Sequence, residues 1–310
     1  MTNNTIATAG DSRYLWGILL LIASLRRNRM TEPVIVGVKD MTPDEEAVLT
    51  GLDGVRLHRL GNFRRSLTCA KPEIMLQAET DYVTWVDSDG FFTGNCSGLL
   101  CPEHPGEIHI RMRDAQEHPR AFRGFTCGED GTRIPMPILN AWRKNIQGRA
   151  APMIQRSCSA CLLSVHRTAR PFLIRWQEEM TLRLPVGNTG VTDRRVPYYH
   201  QLDESVLNSC LAFAPEAPRV SPCYRLDKDP AAMFVHFVGQ PKPWEGWSPA
   251  AFRHFDGYVR TAAFAAETFR RLPGPLPCSL KAQNKWLCGL LRHPLHLYDK
   301  IRRKSRKWLH

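Results

Sequence analysis

The amino-acid sequence predicts an α/β fold: a single domain with a central, mostly parallel sheet flanked by helices, plus a helical C-terminal extension. Three observations support this prediction. Apolar strands alternate with helices over residues 5–86, the strands are rich in β-branched residues, and hydrophobic residues make up 43% of the chain, which suffices for a packed core. At 310 residues, the chain can form one large α/β domain with appendages.

The alternation can be followed element by element. Thr42 precedes Pro43 and three acidic residues, which is typical of a helix N-terminus because Thr caps the helix and acids favour its dipole. In the first third of the chain, strands are predicted at residues 5–9, 33–38, 54–59 and 82–86, and helices at 14–26, after 42, and at 66–79. Further along, strands are predicted at 107–112, 156–165 and 234–237, and helices at 138–146, 171–182 and 202–211.

Two carboxylates, Asp87 and Asp89, directly follow the apolar strand at residues 82–86. Ligands of parallel α/β sheets bind beyond the carboxyl ends of the strands. Two acids one residue apart can reach one divalent cation, and oxygen ligands suit Mg²⁺ or Mn²⁺ shared with substrate phosphates. In a surface turn, two such acids would simply be exposed to solvent without binding a ligand. Their position directly after a predicted buried strand favours a metal site.

A second candidate segment begins at His236, which follows the apolar residues 233–235. A neutral imidazole at that strand end could complete a metal site with Asp87 and Asp89. Gly239 would let the backbone approach a ligand closely, and Lys242 would place an ammonium near phosphate oxygens. Taken alone, His236 could equally be a core histidine and Lys242 a surface cation.

The segment 236–244 resembles the C-terminal signature His-Phe-Xaa-Gly-Xaa-Xaa-Lys-Pro-Trp of glycosyltransferase family 8, the retaining galactosyltransferase and glycogenin class. The resemblance covers roughly residues 5–247 and implies a Rossmann-like domain of GT-A type. It also implies a nucleotide-diphosphate sugar, expected to be a UDP-sugar, as donor, with Mn²⁺ as the metal and Mg²⁺ as the alternative. The implied reaction moves a hexosyl group, with retention, to a hydroxyl of a glycan or lipid-linked saccharide.

The same resemblance implies roles for individual residues. The opening strand and helix are similar to the family's elements that hold the base and ribose of the nucleotide. Lys71 is similar to a basic residue that the family places near the diphosphate. The segment 203–208 resembles an Asp-Gln-Xaa-Xaa-Leu-Asn element beside the reacting sugar, so Asp203 and Glu204 are expected to be catalytic. The metal ligands are expected to be Asp87, Asp89 and His236. The residues expected to bind the nucleotide sugar are Ala7, Thr8, Asp11, Tyr14, Lys71, Asp87, Ser88, Gly239 and Lys242.

Three departures from the family pattern affect these expectations. Glu204 stands where the family usually has Gln, which adds a carboxylate near the reacting carbon. The segment 159–161 (Ser-Ala-Cys) replaces an Asn-Xaa-Gly segment, which puts donor-sugar and acceptor contacts in question. The turn before Tyr14 has two extra residues, so contacts with the base are less firmly assigned.

The chain divides into a catalytic domain at 1–247, a helical connector at 248–279 and a basic amphipathic tail at 280–310. The formal net charge is +12, and residues 281–310 carry nine Lys or Arg against one acid. Aromatic and aliphatic residues mixed with these cations suit an anionic membrane surface, whereas the alternative is a basic helix packed on the domain. Pro294 is expected to break the tail into two short helices.

Ten dispersed cysteines without a preceding secretory signal predict free thiols in a reducing cytoplasm. The basic tail adds the expectation of peripheral attachment to the inner face of the cell membrane. Cys158 and Cys161 have redox-motif spacing, but their apolar neighbours favour a buried strand. The longest apolar run, residues 14–25, is too short to cross a bilayer.

Other function classes fit the sequence less well than a transferase. The excess positive charge is confined to the tail, and the sequence has no recognisable nucleic-acid-binding motif. Both observations argue against a nucleic-acid partner. A sugar-nucleotide-binding protein or a nucleotidyltransferase on the same fold remains open, although residues 9–13 are a poor match to a Gly-rich triphosphate loop. A catalytically inactive homologue also remains open.

Overall fold

Strands and helices alternate through most of the chain in a computed structural model that describes residues 3–122, 124–128, 131–188, 190–223 and 232–306. The strands are β1 (Asn4–Gly10), β2 (Val34–Val38), β3 (Val55–Arg59), β4 (Tyr82–Val86), β5 (Gly90–Phe92), β6 (Glu107–Met112), β7 (Cys158–His166), β8 (Arg219–Pro222) and β9 (Phe234–His236). The α-helices are α1 (Leu15–Arg27), α2 (Pro43–Thr50), α3 (Lys71–Met75), α4 (Ser97–Leu100), α5 (His118–Ala121), α6 (Met136–Ile146), α7 (Arg170–Arg183), α8 (Leu202–Phe213), α9 (Phe255–Thr268) and α10 (Lys285–Arg306).

The central sheet has the strand order β3-β2-β1-β4-β7-β6-β8. The pairings β1–β2, β2–β3, β1–β4 and β6–β8 are parallel, whereas β7 is antiparallel to both β4 and β6. The predicted mostly parallel sheet is therefore confirmed. One edge of the sheet combines the carboxyl ends of the parallel strands with the amino end of β7.

The apolar composition of the first strands follows from their position. Every residue of β1 and β2 is buried, as expected for parallel strands covered by helices on both faces. Helix α2 begins as predicted, because Thr42 and Glu45 form a reciprocal capping box before Pro43.

A small second sheet pairs β5 with β9 in antiparallel orientation, so that Gly90 lies opposite His236. A Cβ atom at Gly90 would lie 2.4 Å from the Phe234 ring and 2.7 Å from the Val235 carbonyl oxygen. Only glycine therefore allows β9 to approach this closely.

The segment that follows residues 236–244 packs against the first helix of the chain. In α9, Phe255, Tyr258 and Ala262 share one hydrophobic cluster with Leu19 and Leu20 of α1. The boundaries of the predicted connector at 248–279 remain a prediction, but its helix buries one face against the first helix of the chain.

Helix α10 docks one face on the loop that follows His236. His296 Nδ1 lies 3.2 Å from the carbonyl oxygen of Gln240, and the Lys285 ammonium pairs with Asp256 at 2.6 Å. No helix within the described ranges is both long and apolar enough to cross a bilayer.

Two predicted elements differ from the structure, and two strands were not predicted. The helix predicted at 66–79 is a 3-10 turn followed by the short α3, because Pro72 can occupy only the first turn of a helix. The prediction that Pro294 breaks the tail is wrong: α10 is continuous, and contacts of Leu295 and His296 with the body of the protein hold it together beyond the proline. Strands β5 and β8 were not predicted, since both are short and lack alternating apolar residues.

Candidate functional site

A cleft of about 720 Å³ opens at the carboxyl edge of the central sheet. It is lined by Asp87 after β4, Cys161 of β7 and His236 at the end of β9. Asp203 and Glu204 in the first turn of α8 line the same cleft. Four separate parts of the chain therefore contribute side chains to one cavity.

The predicted metal ligands lie together. One potential ligand atom each from Asp87, Asp89 and His236 can be chosen so that all lie within 4.8 Å of one another. His236 Nε2 lies 3.0 Å from Asp89 Oδ1 and 3.7 Å from Asp87 Oδ2. The β5–β9 pairing causes this convergence, since it also joins the Phe237 N–H to the Asp89 carbonyl oxygen at 2.8 Å.

The charges of this group stabilise one another. Burial by itself would raise the pKa of the Asp89 carboxyl, but the charges of His236 and Lys242 lower that pKa well below its usual range. Burial likewise opposes protonation of His236, whereas the charge of Asp89 raises its pKa well above the ordinary value. Asp89 is therefore a partly buried carboxylate that depends on neighbouring positive charge.

The donor set fits a divalent cation. Two carboxylates and one imidazole suit ions such as Mn²⁺, and carboxylates are also the protein ligands that Mg²⁺ prefers. These three donors lie close enough together to hold such an ion, and Asp87 and His236 also line the cleft.

Lys71 links the metal group to helix α8. Its buried ammonium lies 3.1 Å from Asp87 Oδ1 and 3.2 Å from Asp203 Oδ2, and it donates to the carbonyl oxygen of Ala160 at 2.9 Å. Burial alone would lower the pKa of Lys71, but the charges of Asp203 and Asp87 outweigh burial and raise it. Since an ammonium has three N–H donors, these partners use all of them.

Glu204 is held by partners other than Lys71. One carboxylate oxygen pairs with Arg113, and Oε2 accepts a hydrogen bond from the Ala160 backbone N–H at 2.9 Å. Asn208, one turn further along α8, exchanges two hydrogen bonds with the backbone of Cys158. The extra carboxylate at this position is therefore neutralised by an arginine and fixed against β7.

The segment around Lys242 is anchored near the metal group. The buried Lys242 ammonium contacts Asp89 Oδ2 and donates to the carbonyl oxygen of Phe237 at 2.8 Å. The Trp244 indole donates to the carbonyl oxygen of Arg13 at 3.1 Å, and Arg13 pairs with Glu245 at 2.8 Å. These contacts join the loop after β9 to the turn that precedes α1.

Other residues predicted to bind the nucleotide sugar lie in β1 and in the turn that follows it, and they are not among the described residues that line the cleft. Ala7 and Thr8 are fully buried within β1, and Asp11 accepts hydrogen bonds from the backbone N–H groups of Arg13 and Tyr14. Burial raises the pKa of the Tyr14 phenol, and the charge of Asp89 adds to this effect.

Ser88 and Gly239 complete that set. Ser88 is buried between the two aspartates, and its carbonyl oxygen would lie 2.7 Å from a Cβ atom at Gly17. Gly239 has a positive φ of 87°. Contact of these residues, and of Ala7, Thr8, Asp11 and Tyr14, with a nucleotide remains a prediction.

Sequence reasoning missed three residues at the site. Trp85 donates to Asp87, Arg113 pairs with Glu204, and Cys161 lines the cleft together with His236. Two signals could have found the first two residues. Trp85 is two positions before Asp87, hence on the same face of the strand, and Arg113 directly follows the carboxyl end of β6.

Comparison with solved structures identifies the fold. The apo structure of the bifunctional glycosyltransferase WbbM matches with a TM-score of 0.56 and 13% identity, covering 88% of this chain and 52% of that chain. GlyE from Streptococcus pneumoniae TIGR4, a glycosyltransferase, matches with a TM-score of 0.54 and 15% identity over 87% of this chain and 64% of that chain. The galactosyltransferase LgtC, bound to donor and acceptor sugar analogues, matches with a TM-score of 0.52 and 14% identity, covering 87% of this chain and 97% of that chain.

The present chain thus spans about half of WbbM and less than two thirds of GlyE. No protein-family model and no curated protein sequence matches it. At these identities the likeness shows the fold, and it confirms the predicted resemblance to glycosyltransferases of GT-A type.

Proposed function

We propose that this chain is a metal-dependent glycosyltransferase that moves a hexosyl group from a nucleotide-diphosphate sugar, a UDP-sugar, to a hydroxyl of a glycan or lipid-linked saccharide, with retention. The observation that carries the proposal is the convergence of Asp87, Asp89 and His236, two of which line the cleft, in a fold shared with glycosyltransferases. Such a group is suited to hold Mn²⁺, or Mg²⁺, against two phosphates.

When bound, the divalent cation would neutralise charge on the departing nucleotide diphosphate. Lys242 supplies a second positive charge next to the metal group, since its ammonium lies against Asp89. In this proposal, loss of the nucleotide leaves an oxocarbenium-like sugar, which carboxylates can stabilise.

We assign Asp203 and Glu204 an electrostatic role toward the sugar or the acceptor. Lys71 holds Asp203, and Arg113 holds Glu204, so neither carboxylate is free of a cation in this structure. Paired in this way, each side chain contributes oriented negative charge at a fixed position in the cleft.

A screen of nucleotide sugars for hydrolysis in the absence of acceptor tests this function. We expect one or a few UDP-sugars to release UDP with Mn²⁺, EDTA to abolish the release, and added Mn²⁺ to restore it. Release of pyrophosphate from a nucleoside triphosphate and a sugar phosphate would instead identify a nucleotidyltransferase. Tight binding of a nucleotide sugar without turnover, with or without acceptors, would favour a binding protein.

The exposed face of α10 supports a second proposal, peripheral attachment to the inner face of the cell membrane and hence a cytoplasmic location. Trp286, Leu290 and Leu297 are 69%, 65% and 59% exposed, and their spacing places them on one side of the helix. The opposite side docks on the body of the protein through Arg292, which lies over the Phe252 ring at 5.0 Å. An apolar stripe within a basic helix is suited to an anionic leaflet.

Vesicle flotation of the full chain tests the membrane proposal. Replacing Trp286, Leu290 and Leu297 together with Ser should weaken binding to vesicles rich in phosphatidylglycerol by about 10-fold or more, because burial of one such side chain contributes about 1.5–3 kcal/mol. The matched control replaces Ile174 and Leu182, exposed apolar residues of α7, with Ser and should leave binding unchanged. Equal flotation of both variants and the parent chain would contradict membrane attachment through α10.

A further inference from the structure

The side chain of Trp85 makes a polar contact with a candidate metal ligand. Its indole Nε1 donates a hydrogen bond to Asp87 Oδ1 at 2.7 Å. Trp85 is only 2% exposed, and it pairs with Ala7 of β1 on one side and with Leu163 of β7 on the other. The indole is therefore held in the middle of the central sheet, where its ring has little freedom to move.

Lys71 contacts the same carboxylate oxygen. Its ammonium lies 3.1 Å from Asp87 Oδ1 and 5.4 Å from the centre of the Trp85 ring. A carboxylate oxygen has two lone pairs in its plane, and the two donors use both of them. The other oxygen, Oδ2, is the one that lies 3.7 Å from His236 Nε2.

The two oxygens of Asp87 therefore have different roles. Oδ1 is saturated by donors from β4 and α3, whereas Oδ2 lies toward His236. Groups that orient a metal-binding carboxylate from outside the coordination sphere raise the affinity of the site, because the ligand loses less freedom when the metal binds.

We propose that Trp85 is a positioning residue for the metal centre: its N–H holds Asp87 Oδ1 so that Asp87 offers a single oxygen, Oδ2, to the cation. The inference rests on the proposed metal-dependent function. It differs from the role of Lys71, since the indole N–H carries no charge and acts through orientation alone.

Trp85→Phe removes the N–H and keeps an aromatic ring in the core. Mn²⁺ affinity is measured on the full chain by the EPR signal of free Mn²⁺, with Mn²⁺ alone and with Mn²⁺ plus UDP. We expect the variant to raise the Mn²⁺ dissociation constant by about 10-fold, the lower end of what outer-sphere partners contribute. Binding of UDP without metal should change less than twofold.

Trp142→Phe is the matched control. Trp142 is fully buried in the same hydrophobic cluster, and its indole also donates one hydrogen bond, at 2.8 Å, to the carbonyl oxygen of Tyr198. Both variants lose a buried hydrogen bond and part of an indole, so both should lower the melting temperature, but only Trp85→Phe should weaken Mn²⁺ binding. If Trp85→Phe does not fold, 3-benzothienylalanine at position 85 replaces the N–H with sulfur at nearly constant size.

Each outcome is decisive. If Trp85→Phe leaves the Mn²⁺ affinity unchanged, or if Trp142→Phe weakens it equally, the positioning role of Trp85 is overturned and the metal centre stays in place. Failure of the unmodified chain to bind Mn²⁺, with or without UDP, would overturn both the metal centre and the role of Trp85.

Discussion

Replacing Asp89 with Asn is expected to lower the rate of sugar transfer by about 10³-fold or more, because metal assistance is worth several kcal/mol and each 1.4 kcal/mol is a factor of ten. The structure supports this expectation, since Asp89 contacts both His236 and Lys242. The substitution removes one metal ligand and leaves Lys242 without its carboxylate partner. Mn²⁺-dependent binding of UDP should weaken in parallel, as measured by titration calorimetry with and without EDTA.

Asp81→Asn serves as the control for this substitution. Asp81 precedes β4, and its half-exposed carboxylate pairs with the exposed Arg167 at 3.4 Å. Transfer and UDP binding should stay within twofold of the unmodified chain, because exposed ion pairs contribute little. Full turnover of the Asp89→Asn protein in the presence of chelator would contradict the metal-dependent scheme.

Replacing Lys71 with Met is expected to lower the free energy of unfolding by about 3–5 kcal/mol at neutral pH, the usual cost of breaking a buried ion pair from one side. Lys71 and Asp203 are 3% and 4% exposed, so the carboxylate of Asp203 would remain buried without its cation. Met has a similar length, which limits the loss of packing. Urea unfolding at several pH values measures the effect.

This loss should shrink as the pH falls. Burial already raises the pKa of Asp203, with Lys71 opposing the rise, so removal of Lys71 raises that pKa further. A carboxyl whose pKa is higher in the folded than in the unfolded protein binds protons preferentially in the folded state. The variant should therefore recover stability from about pH 8 toward pH 5, relative to the unmodified chain.

Lys285→Met is the matched control, since its ammonium pairs with the exposed Asp256 at 2.6 Å. It should change the free energy of unfolding by less than about 1 kcal/mol at every pH. A similar, pH-independent loss for Lys71→Met and Lys285→Met would contradict the buried charge network described above.

Much of the fold could be predicted from the sequence because its signals are local. The buried strands of the sheet appear as short apolar runs, and the cap at Thr42 depends only on residues within one helical turn. Asp87 and Asp89 could be predicted as candidate site residues because their signal is also local: a carboxylate directly after an apolar strand lies at the carboxyl edge of a parallel sheet.

Predictions failed where distant contacts decide the local structure. Pro294 normally interrupts a helix, yet α10 continues through it because Leu295 and His296 contact the loop after β9. Strand β5 has three residues and no periodicity of its own, so it exists because β9 pairs with it.

The sequence by itself determined the order of strands and helices, the acidic pair after β4 and the histidine at a later strand end, since each depends on neighbouring residues. Only the tertiary structure decided that His236 meets Asp89, that Lys71 and Trp85 share one oxygen of Asp87, and that Arg113 neutralises Glu204. These contacts join residues far apart in the chain, or select one oxygen of a carboxylate. The physical reason is that pairing, register and burial arise only when the separate elements pack together.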